Sequence, residues 1–174
     1  TPASYTWTID TILPTVSSIS PEDVATGVAL STSKTIITAT FSEVMDKSTI
    51  TTSTFTLSDG TNTVTGTVTY SSTTATFTLS SNLTSGTTYT ATITTDVKDT
   101  AGNKMASDKK WSFTTLGNLT WDAPTTNVDG TPVGLTGYKV YYGTSSGNYA
   151  TSIVVGNVTT YGVKTLSIET TYYL

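Results

Sequence analysis

The sequence predicts an all-β chain: one antiparallel β-sandwich followed by a second, incomplete one. Apolar side chains recur at every second position inside threonine-rich tracts. Turn residues punctuate those tracts at short intervals, and no long stretch carries the helical period. A half-buried strand needs this alternation, because successive side chains point to opposite faces of the sheet.

Each strand is read from its own pattern. Tyr89, Ala91 and Ile93 share one face of their tract, while Thr88, Thr90, Thr92 and Thr94 share the other. Val64, Val68 and Tyr70 repeat the pattern around Gly66, as do Ala75, Phe77 and Leu79. Further strands are expected near residues 16–19, 34–41, 54–58 and 111–115, about seven before residue 116. Asp59-Gly60, Ser71-Ser72 and Ser85-Gly86 supply turns, and residues 69–78 form a hairpin about Ser71-Ser72. Residues 42–50 are the least strand-like and are expected to hold a single helical turn lying across one end of the sandwich. The expected core is Ile37, Phe41, Phe77, Tyr89, Ile93 and Phe113, with Trp111 beside it.

After Leu116-Gly117 threonine thins out and tyrosine becomes frequent, which places a domain boundary there. Strands are expected at about 118–122, 137–142, 149–155, 159–163 and 170–174, too few for a seven-stranded sandwich. The domains so read are 14–116 and 117–174. The opening Tyr5-x-Trp7-x-Ile9-Asp10, followed by Pro14, resembles the leftover strand and linker of a preceding module over residues 1–13, and the chain reads as an internal fragment of a longer polypeptide.

Composition narrows function. Charged residues make up 11% of the 174 residues, against a usual value of about 25%. Threonine, roughly a quarter of the chain, favours extended backbone and faces water without carrying charge. A net charge of -4 gives no electrostatic footprint for nucleic acid. No apolar run is long enough for a membrane-spanning helix, so no direct membrane insertion is expected. With neither histidine nor cysteine, zinc sites built on those ligands and the usual nucleophile–base pairs cannot form. No serine stands in a nucleophile elbow, and most carboxylates fall in turns, where they cap backbone N–H groups. The chain is therefore not expected to be an enzyme.

Ordered motifs carry a resemblance. Val16…Ser20-Pro21, Gly27-Val28, Ile37-x-Ala39-x-Phe41-Ser42-Glu43-x-Met45-Asp46 and Asp99-x-Ala101-Gly102-Asn103…Trp111-x-Phe113-Thr114-Thr115 together resemble the bacterial Ig-like domain of S-layer and other surface proteins. The second part carries Leu119-Thr120-Trp121-Asp122-x-Pro124, Asp129-Gly130-Thr131-Pro132, Gly137-Tyr138-Lys139-Val140-Tyr141-Tyr142-Gly143, Gly147-Asn148-Tyr149 and Leu166…Tyr172-Tyr173. It resembles a truncated fibronectin type III domain, which implies Trp121 in the core and Tyr172 at a tyrosine corner. The resemblances imply tandem Ig-like and fibronectin type III-like sandwiches, extracellular or on a cell surface, whose first partners are neighbouring domains of the same polypeptide.

Two candidate sites follow. The first resemblance implies that Glu43, Asp46, Asp99 and Asn103 approach one another at one end of the sandwich, as candidate calcium ligands. The competing reading is an Asx-type turn, with Gly102 supplying an unusual φ. No other cofactor is expected. Tyr141 and Tyr173 fall on the outward face of their strands, while Tyr149 and Tyr161 are not assigned a face; all four are candidates for contact with a glycan or an extracellular protein. The apolar tract Tyr5–Ile9 is a candidate for edge-strand association with residues 170–174.

Overall fold

The computed structural model describes residues 9–30, 36–127 and 129–163. They fall into two compact units divided between Thr115 and Leu116. Tyr172, Tyr173, the expected strand at 170–174 and most of the Tyr5–Ile9 tract lie outside the described residues.

The first unit is a sandwich of two four-stranded sheets. One runs β1 (Val16–Ser20), β3 (Ile37–Phe41), β6 (Thr74–Leu79), β5 (Gly66–Ser71) in spatial order. The other runs β2 (Ala25–Val28), β8 (Lys109–Thr115), β7 (Thr88–Ile93), β4 (Phe55–Ser58). All pairings are antiparallel except β2 on β8, which is parallel and matches Ala25 to Phe113 and Val28 to Thr115. This eighth strand departs from the sequence expectation. Gly27, at φ 67°, breaks the alternation that reveals the other strands. Asp23 Oδ1 instead accepts the Ser112 N–H at 2.9 Å, and the Val24 N–H reaches Ser112 O at 2.7 Å, which carries the segment to β8.

Period-two patterning decides which face is dry. Ile37, Ala39 and Phe41 on β3 meet Ala75, Phe77 and Leu79 on β6. Phe55 and Leu57 on β4, Tyr89, Ala91 and Ile93 on β7, and Trp111 and Phe113 on β8 close the core from the other sheet. Phe55 packs on Phe77 and Trp111 at ring-centroid distances of 5.7 and 5.9 Å, and Tyr89 stacks on Phe113 at 5.8 Å. The opposite face of the first sheet is formed by Ser and Thr alone. Cross-strand partners run Ser20–Thr38–Thr76–Thr69 and Ser18–Thr40–Thr74–Ser71, with Thr78 beside Thr67.

The hairpin between β5 and β6 turns at Ser72, which takes a positive φ of 56°. The helical turn expected in residues 42–50 is a 3-10 turn, Lys47–Thr49.

Among its described residues the second unit holds two antiparallel pairs: β9 (Gly117–Thr120) with β12 (Thr160–Val163), and β10 (Tyr138–Tyr142) with β11 (Thr151–Gly156). Trp121 meets Tyr138 edge to face at 5.2 Å. No described residue of this unit is fully buried, in keeping with an incomplete sandwich.

Candidate functional site

One end of the first sandwich gathers the acidic residues. Leaving β3, the chain crosses this end as residues 42–46 and is pinned there. The Met45 N–H donates to the Tyr70 hydroxyl at 2.8 Å, Met45 bridges to Asp99, and the Asp46 N–H donates to Lys98 O at 2.8 Å. Asp99 opens the facing turn and is 1% exposed.

The turn organises itself around Asp99. Its Oδ1 accepts the N–H groups of Ala101 and Asn103, each at 2.8 Å, and its Oδ2 accepts Asn103 Nδ2 at 2.8 Å. Gly102 sits at φ 94°, where a side chain would be strained, and its N–H donates to Asp99 O at 3.2 Å. Burial pushes the Asp99 carboxyl up, but the bonds from the Asn103 side chain and from the Asn103, Ala101 and Gly102 amides outweigh it and hold the group below the usual aspartate range.

Glu43 and Asp99 are brought together, and a third carboxylate joins them. One carboxylate oxygen each from Asp10, Glu43 and Asp99 lie within 4.8 Å of one another. Glu43 Oε1 is buried without a hydrogen-bond partner. Burial, then the charges of Asp10 and Asp99, push the Glu43 carboxyl up. Chemically, the group offers hard oxygen donors of the kind a divalent cation takes, or a place to hold a shared proton.

Asn103 stands beside this group, and its Nδ2 also donates to Asp10 O at 3.1 Å. Asp46 stands outside it. The Asp46 carboxylate caps the 3-10 turn, accepting the Ser48 N–H at 2.9 Å and the Ser48 hydroxyl at 2.7 Å, and these bonds hold it below the usual range. Sequence reasoning missed Asp10, because no local pattern couples a residue of the leading segment to a turn 89 positions later.

The tyrosines are dispersed. Tyr141 on β10 is 49% exposed, with Lys139 Nζ 4.9 Å from its ring centroid, and Tyr149 in the following loop is 39% exposed. Tyr161 is half-buried on β12 opposite Leu119. Among the described residues no nucleophile, base and acid are assembled into a catalytic group, and no helix is long and apolar enough to cross a membrane.

A family model described as bacterial Ig-like domain matches residues 10–115, more than half of the chain. The chain belongs to the bacterial Ig-like domain family. The bacterial Ig-like module is a non-catalytic sandwich, and its matched span covers all eight strands of the first unit. Similar solved structures include the N-terminal part of the bacterial S-layer protein SbsC, at 19% identity and a TM-score of 0.45 over 76% of this chain and 35% of that one. SbsC domains 1–6 give 19% and 0.45 over 76% and 20%. The native conformation of Escherichia coli alpha-2-macroglobulin gives 16% and 0.44 over 75% and 8%. The chain thus spans about a third or less of the length of these structures. No curated protein matches it in sequence.

Proposed function

We propose that the chain is a structural spacer or adhesion module of a larger secreted or cell-surface bacterial protein, with a bacterial Ig-like sandwich followed by a partial fibronectin type III-like one. One observation carries the reading. The first unit closes its own apolar core, while the outer face of one sheet is a continuous uncharged field of Ser and Thr hydroxyls. Such a module is stable by itself and stays hydrated at low net charge. Only Leu116 separates β8 from β9. The partners of this reading are neighbouring domains of the same polypeptide, in an extracellular or surface setting. It assigns no role to a cofactor. The half-buried Trp121 on Tyr138 supports the fibronectin-like reading of the second unit.

The second reading, a glycan- or protein-binding accessory module, rests on the exposed rings of Tyr141 and Tyr149. An array of immobilised glycans probed with the intact chain separates the two. The spacer reading expects no binding above background. Binding that is lost in the Tyr141→Ser/Tyr149→Ser variant would replace it with the second.

A further inference from the structure

We infer that residues 10–15 form a strap across the end of the sandwich, latched by the side chain of Asn103. The strap is fastened at both ends. At its start, Asp10 Oδ1 accepts the Ile12 N–H at 3.0 Å, and this small turn leaves the Asp10 carbonyl facing Asn103 Nδ2 at 3.1 Å. At its end Pro14 is fully buried, the Thr15 N–H donates to Ser42 Oγ at 3.0 Å, and Thr15 O accepts the Ser42 N–H at 2.8 Å.

Between the fastenings Ile12 and Leu13 remain 69% and 49% exposed, so the strap is not held down by burying its own aliphatic side chains. Polar bonds to Asn103 and Ser42 and the buried Pro14 ring hold it instead. The amide of Asn103 is suited to the task, since its two N–H donors reach Asp99 Oδ2 on the turn and Asp10 O on the strap at once. The turn that looks like an ion-binding loop in sequence thereby fixes the direction in which the chain approaches β1. The Asp10 end hangs on a single side-chain bond and carries its carboxylate toward Glu43 and Asp99, so it is the end that opens first.

The test is the heteronuclear NOE of backbone amides in the full chain, supported by amide exchange. In Asn103→Ala, Thr11 and Leu13 are expected to fall from rigid to flexible values, while the Ala101 amide, still bonded to Asp99, stays slow to exchange. Thr11 and Leu13 as rigid as in the parent would overturn the latch. If Asn103→Ala instead loosens Ala101 as well, Ser42→Ala decides, because it leaves the turn untouched. Leu13 is then expected to loosen with Thr11 still rigid, and equal loosening of both residues would overturn the proposal.

Discussion

Phe55 of β4 and Phe77 of β6 meet across the space between the two sheets, ring centroids 5.7 Å apart and planes tilted by 60°. Trp111 of β8 also packs on Phe55, at 5.9 Å, and all three rings are buried. Phe77 is the one ring of this trio supplied by the first sheet.

Replacing Phe77 by alanine should therefore cost about 3–5 kcal/mol, the sum of lost transfer energy and a cavity that the paired strands cannot close. A denaturant melt checks this. A loss below about 1 kcal/mol would mean that the two sheets do not depend on this ring.

Gly66 sits where β5 crosses the Phe77 ring, and a Cβ there would overlap both the ring and the Thr78 carbonyl oxygen. Gly66→Ala should destabilise by about 1–3 kcal/mol through overpacking. Shrinking the ring in Gly66→Ala/Phe77→Leu should not restore the parent, because Thr78 belongs to the paired backbone of β6. Melts of the single and double variants read this out; full recovery in the double variant would assign the clash to the ring alone.

Two carboxyls at one end of the sandwich should shift stability in opposite senses. Glu43 is raised in the folded state, so its contribution is present below the ordinary glutamate range and is lost as pH rises through the raised value. Glu43→Gln should melt higher than the parent at neutral pH, with the gap closing in acid. Asp99 is lowered, so its contribution is present above the ordinary aspartate range and is lost as pH falls through the lowered value. Asp99→Asn should melt lower at neutral pH and converge with the parent in acid. Melting curves from neutral to strongly acidic pH check both signs, and a parallel pH response of the two variants would contradict the assignment.

Removing calcium with a chelator should leave the melting temperature of the parent unchanged. Asp99 already has both oxygens engaged by N–H donors, which give the turn its shape without help from an ion. A melting temperature that rises with added calcium and does so less in Glu43→Gln would instead show that the three carboxylates share a cation.

Much of the fold was legible because alternation is a local signal. Tyr89, Ala91 and Ile93 had to share a face whatever the sheet order, and that face proved to be the dry one. β2 was illegible, since Gly27 interrupts the pattern and its pairing depends on Asp23 reaching Ser112. Among the candidate ligands, the Asx-type turn from Asp99 to Asn103 could be read from its own residues, while its approach to Glu43 came only with the family resemblance. Whether Asp46 would join them could not, because a carboxylate one residue before a 3-10 turn can cap it or turn away with little change in sequence.

The sequence alone determined which side chains are wet and which are dry, where the turns fall, and that neither histidine nor cysteine chemistry is available. Those properties follow from the two-residue repeat of a strand and from composition. Only the tertiary structure decided that Asp10 joins Glu43 and Asp99 at one end of the sandwich and that Asn103 ties a segment 93 positions away to its own turn. Contacts of that kind arise when the sheets stack, and no repeat along the chain encodes them.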